Sequence, residues 1–210
     1  MRIEWQHTPQ GSVGFHAQPG EYDAVPPVDA LLMESSPTLL NPERKAIAAY
    51  LAFGRWTSGD FTLDFKFGPT TASAIERDTK HLDIRPGPIE YYPKPLSAGT
   101  DEVAVEFDAR VWNDPHTTTL SVLPSSEWAG GLRSLSSIAI ATNAFALDHA
   151  SLDDTISIRA RLAVAVLFSE ELAADTLIVS SGECIDEQER LRLTNLLLAA
   201  RLGLLFQDPR

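Results

Sequence analysis

The segment FTLDFKF places Phe61, Leu63, Phe65 and Phe67 on one side and Thr62, Asp64 and Lys66 on the other. Period-two alternation predicts a strand with one buried face. EVAVEFDARVW repeats the pattern through Val103, Val105 and Phe107. Thr117 to Leu123 is rich in β-branched residues, and Ser136 to Ala141 carries Ile138 and Ile140; both predict strands. TLIVSS, 176–181, predicts one more. The longest alternation is TISIRARLAVAVLF, in which the even positions from Ile156 to Phe168 are apolar and 157, 159 and 161 are Ser, Arg and Arg. From Leu162 both sides are apolar. This predicts a long strand, half exposed at its start and buried at its end, with a helix as the rival because Ala and Leu are abundant.

Helix signals are of a different kind. Asn41 is an N-cap residue, Pro42 suits the first helical position, and Glu43 favours the positive end of the helix dipole. Ile47, Tyr50 and Leu51 then mark an apolar face, and Gly54 or 57–59 ends the helix. A shorter helix is expected over Ala72 to Leu82, and SEELAAD gives a turn or one short helix. Asp186 followed by Glu189 has the pattern of a capping box, and the helix it opens is expected to run to about Leu202 or beyond Gly203. Leu193, Leu196, Leu197 and Ala200 form one apolar stripe on it. Leu191, Leu198, Leu202 and Leu205 form a second. A surface helix needs one stripe, so the second places the helix centrally in the core or against another chain.

The first forty residues are punctuated by prolines and glycines, with short strands at Arg2–Trp5 and Ser12–His16. RPGPIEYYPKPLSAG, 85–99, packs four prolines around Tyr91 and Tyr92. It lacks the P-x-x-P spacing of polyproline ligands, so it reads as a rigid loop inside one domain, with the two tyrosines as anchors if it is a contact surface. Tyr92–Pro93 is a candidate cis bond. Together these elements predict one α+β domain over 1–210. It has a loop-rich segment at 1–40, a mostly antiparallel or mixed sheet, and about three helices including a strongly apolar C-terminal one. No fixed-period repeat is evident.

With 44% hydrophobic residues in 210, the chain can bury a sizeable core. Its net charge of −12 and lack of any basic run argue against binding nucleic acid or an anionic membrane surface. The leucine-rich run 191–206 is broken by Arg192, Asn195 and Arg201 and is too short to span a bilayer. The start MRIEWQHTPQ has no apolar segment of the signal-peptide kind. The expectation is a soluble cytoplasmic protein.

Candidate chemistry is sparse. Among five histidines, His81 lies near Asp83, His116 near Asp114, and His149 beside Asp148. A His/Asp pair is the raw material of acid–base or metal chemistry. None has the i, i+4 spacing of paired histidine ligands on a helix. Cys184 precedes a helix start, which favours a thiolate, but Glu183, Asp186, Glu187 and Glu189 surround it with negative charge. No nucleophile elbow, P-loop or dinucleotide fingerprint is present, and no cofactor is expected. Gly130–Gly131 with Arg133 reads as a turn or an anion nest.

Two functions remain. One is a non-catalytic subunit of a cytoplasmic complex. It docks on another protein or on itself through Tyr91, Tyr92, Leu191, Leu198, Leu202 and Leu205. The other is a hydrolase with an unfamiliar His/Asp site, alone or with a divalent metal.

Overall fold

The computed structural model describes residues 1–79, 83–107, 118–148, 157–180 and 185–207. Among these, eleven strands form one mixed sheet and five α-helices pack against it. The order along the chain is β1 (Arg2–His7), β2 (Val13–Gln18), β3 (Ala30–Met33), α1 (Pro42–Phe53), β4 (Asp60–Phe67), α2 (Pro69–Asp78) and β5 (Arg85–Ile89). Then come β6 (Asp101–Glu106), β7 (Thr118–Pro124), β8 (Gly131–Arg133), β9 (Ser137–Thr142), α3 (Ala144–Asp148), α4 (Arg159–Phe168), β10 (Ala174–Ser180), α5 (Glu187–Leu198) and β11 (Gly203–Gln207). The α+β class and the mixed sheet agree with expectation; among the described residues the α-helices number five, where about three were expected.

Across the sheet the order is β11-β10-β6-β7-β9-β3-β2-β1-β4-β5, with β8 paired to β9. Six pairings are parallel and four antiparallel. The order has two wings. In the first, β1, β4 and β5 run parallel and are joined through α1 and α2; in the second, β6, β10 and β11 run parallel and are joined through α4 and α5. The wings meet antiparallel at one backbone pair, Met33 with Thr142. There Asn143 extends the seam: its side-chain oxygen accepts from Leu32 N (2.8 Å) and its amide donates to Ala30 O (2.8 Å).

A short sequence likeness accompanies this. RKAIAAYLAF of α1 and RARLAVAVLF of α4 align without a gap through Arg44 and Arg159, Ile47 and Leu162, Ala48 and Ala163, and Phe53 and Phe168.

α1 starts as expected, with Asn41 Oδ1 accepting from Glu43 N at 2.8 Å. α1 and α4 pack on each other in the middle of the core. Apart from their first turns they are buried on every side. That overturns the strand expected over 156–168, since residues 159–168 are helical. A helix apolar all round has no amphipathic period to read. The alternation came from two arginines, Arg159 and Arg161, which are buried and paired rather than facing water.

The last helix stops earlier than expected, and residues 203–207 are a strand paired in parallel with β10. The stop is a Schellman arrangement: Arg201 has φ +49°, Leu202 N bonds Leu197 O, and Arg201 N bonds Leu198 O. Glycine ordinarily marks such a stop, and here an arginine fills it. Gly203 serves the next step instead, because a Cβ there would lie 2.7 Å from Thr176 Oγ1 on the neighbouring strand.

The first forty residues are more ordered than their prolines suggest, holding β1, β2 and β3. The stretch 85–99 begins as the edge strand β5, and its cis peptide is Gly87–Pro88 rather than Tyr92–Pro93.

Candidate functional site

His81, Asp114, His116, His149 and Cys184 lie outside the described residues. Asp83 is exposed, just before β5. Asp148 is buried at the end of α3, where it caps α4. Its carboxylate accepts from Ala160 N (2.8 Å), Arg161 N (3.1 Å) and Arg161 Nε (2.9 Å). The Arg161 guanidinium lies over the rings of Phe107 and Phe145, 4.7 and 5.2 Å from their centroids. Burial pushes the Asp148 carboxyl above the ordinary carboxylate range, with Arg161 opposing. Asp148 thus fixes the entry of a core helix. Among the described residues no group of three or more His, Cys, Asp or Glu is placed to hold a metal ion. Nor is any described helix long and apolar enough to cross a membrane.

Gly130 is a turn glycine at φ +80°. Its N–H donates to Glu34, and Arg133 bonds Ser35 Oγ, Ser36 O and Glu171. The suspected anion nest is therefore filled by the protein's own carboxylate.

A charged node that the sequence did not suggest joins four helices. Asp78, at the end of α2, accepts from Tyr50 OH of α1 (2.6 Å), Arg159 Nη1 of α4 (2.9 Å) and Arg192 Nε of α5 (3.0 Å). Glu189 of α5 holds the other side of Arg159, at 2.5 and 3.1 Å. Burial works to raise the Asp78 carboxyl, but the two arginines and the tyrosine hydroxyl outweigh it, so it sits below its ordinary value. Burial and the Asp78 charge push the Tyr50 hydroxyl far up. Arg44 of α1 takes the position of Arg159 in the other wing and reaches the backbone oxygens of Ala200 and Ala174. Arg159 therefore ties α4 to the outer helix of the opposite wing, and Arg44 ties α1 to the turn beyond α5 and to the start of β10. Every member is satisfied, and the node holds the helix layer together.

The described surface is more informative at one sheet edge. On α5, Leu193, Leu196 and Leu197 face the core, as their stripe predicts. The second stripe splits. Leu202 is fully buried, so it belongs to the core. Leu191 and Leu198 remain 61% and 58% exposed, seven residues apart on one side of α5. Leu205 is 48% exposed on β11, where Leu204 faces the core and strand alternation turns Leu205 to the other side of the sheet. Tyr91 and Tyr92, 75% and 92% exposed, follow β5 at the opposite edge. The interaction residues expected from sequence thus divide into an α5/β11 group and a separate tyrosine pair.

The two edges differ in kind. β5 carries Pro86 and Pro88, which interrupt the row of donors a further strand would need. β11, GLLFQ, has no proline and no charge. Edges of that composition pair with other strands unless something blocks them. The chain matches no protein-family model, no curated protein and no solved structure.

Proposed function

We propose that this chain is a non-catalytic interaction or assembly subunit of a cytoplasmic complex, docking through the α5/β11 edge. The observation that carries the reading is the exposure of Leu191 and Leu198 on one side of α5, beside β11, which ends the sheet among the described residues and has neither proline nor charge. Large apolar side chains held in water at a pairing-competent edge are the usual mark of a partner surface. Tyr91 and Tyr92 supply a second group of exposed aromatic anchors. The single cysteine, which leaves no intrachain disulfide, fits a reducing compartment.

The test is a pair of substitutions. Leu198→Glu should abolish association while leaving the unfolding midpoint unchanged, because the side chain is already in water. Leu202→Glu should instead lose the folded state, because Leu202 is in the core. Association indifferent to Leu198→Glu refutes the docking surface.

A further inference from the structure

We infer that Lys45 is a covalent capture site for small neutral aldehydes with a planar, apolar body, seated where β1 and β4 part at their carboxyl ends. The site belongs to the wing opposite α5 and β11, so it stands apart from the docking reading.

The backbone makes the opening. β1 and β4 are parallel and pair at Arg2 with Thr62 and at Ile3 with Leu63, although β1 runs on to His7 and β4 to Phe67. The next bond of the ladder, from Trp5 N, goes to the Asp64 side chain at 3.0 Å. The strands therefore part from Trp5 and Asp64 onward. They part where the order of the sheet reverses: β1 is followed by β2 on one side and, after α1, by β4 on the other. Ligands of open parallel sheets enter at such a reversal, outside the carboxyl ends of the strands.

α1 brings an amine to that place. The helix starts at the carboxyl end of β4, where Gly68 N donates to Glu43 Oε1 at 2.8 Å, and Lys45 is in its first turn. The Lys45 nitrogen lies 4.9 Å from the centre of the Trp5 ring and 4.0 Å from that of Phe65. All three side chains are half-buried. Among the described residues Lys45 makes no ion pair; the carboxylates around it are engaged with amides, Asp64 with Trp5 N and Glu43 with Gly68 N. Burial depresses the Lys45 ammonium, and the Asp64 charge opposes. A lysine so placed gives up its proton more readily than one in water, and the neutral amine is the nucleophile.

The surroundings set the ligand. Two rings beside the amine favour a planar, apolar body that lies against them. The Asp64 carboxylate and the net charge of −12 repel a 2-oxo acid and leave a neutral carbonyl compound. The step is an imine condensation. The amine nitrogen adds to the carbonyl carbon, and the carbonyl oxygen leaves as water with the two amine hydrogens. It needs no oxidant or reductant.

Benzaldehyde with sodium cyanoborohydride, which reduces the imine to a stable benzylamine, tests this on the folded chain at neutral pH. Peptide mass spectrometry reads the rate at each lysine. Lys45 should be benzylated several times faster than the exposed Lys66 and Lys94, and urea should abolish the preference. With glyoxylate in place of benzaldehyde the ratio of Lys45 to Lys66 labelling should fall several-fold. Asp64→Asn should raise the Lys45 rate, because its amide oxygen still accepts from Trp5 N while the opposing charge is gone. Lys45 labelled no faster than Lys66 and Lys94 overturns the inference and leaves Lys45 as a cover for two rings. The same ratio with both aldehydes, or a preference that persists in urea, overturns it as well. The docking reading fails separately, by association indifferent to Leu198→Glu.

Discussion

Asp78→Asn is the sharpest probe of how the helix layer is held. The substitution keeps shape and removes charge. Asp78 is 3% exposed and receives three side-chain hydrogen bonds, two of them from arginines. Removing one partner of a buried ion pair costs about 3–5 kcal/mol, because the other charge is left in low dielectric. Two facts favour the low end. Arg159 keeps Glu189 at 2.5 Å, and the Arg192 side chain is 44% exposed and can be solvated. The expected loss is about 3 kcal/mol. For a chain of this length that corresponds to a drop of roughly 6–12 °C in the unfolding midpoint.

Urea unfolding measures the loss directly, with an unchanged slope if both states keep their compactness. Tyr50→Phe removes one hydrogen bond and should cost about 1 kcal/mol. The double variant should lose less than the sum, because both act on one carboxylate. The pH dependence has a defined sign. The folded-state carboxyl of Asp78 sits below its unfolded value, which is about 3.9. Its contribution is therefore complete above that value and lost as pH falls through the folded one. The gap between wild type and Asp78→Asn should be full at neutral pH and close in acid. A gap under about 0.5 kcal/mol at neutral pH, the size of an ordinary surface change, refutes the reasoning.

Other outcomes follow from single contacts. Gly14→Ala should destabilise by about 3 kcal/mol or more, since a Cβ there would lie 1.8 Å from the Leu31 oxygen of the paired strand; thermal unfolding checks it, and a neutral result would mean β2 and β3 are not in this register. Lys45 lies over the rings of Trp5 and Phe65, at 4.9 and 4.0 Å, and burial depresses its ammonium while Asp64 opposes. Reductive methylation with labelled formaldehyde, followed by NMR titration, should find Lys45 below the ordinary lysine range and lower still in Asp64→Asn. An ordinary or raised value contradicts the burial.

Much of the architecture could be read along the chain wherever one face of an element meets water. β4 and β6 announce themselves because water selects polar residues at every second position. The α1 start and the α5 start are written in Asn41 with Pro42 and in Asp186 with Glu189, because orphan amides need those partners locally. The exposed leucines were legible as an excess stripe, but Leu202 was assigned to it wrongly: a helix drawn through to Gly203 turns Leu202 outward, whereas the real chain turns at Arg201 and sends Leu202 inward. The arginine node was not legible, since nothing local distinguishes Arg44, Arg159 or Arg161 from solvated arginines.

What the sequence determined by itself is what one segment decides against water: the α+β class, the amphipathic strands, the helix starts and a surplus of apolar surface at the C-terminal end. The tertiary structure decided the rest. It made residues 159–168 a helix, because only packing against α1 on one side and the sheet on the other buries a segment apolar all round. It ended α5 at an arginine and drew 203–207 into the sheet, because pairing with β10 satisfies a backbone that local leucines would otherwise keep helical. It also joined residues more than a hundred positions apart, Asp78 with Arg192 and Arg44 with Ala200, because a buried charge is stable only where the fold brings its partner.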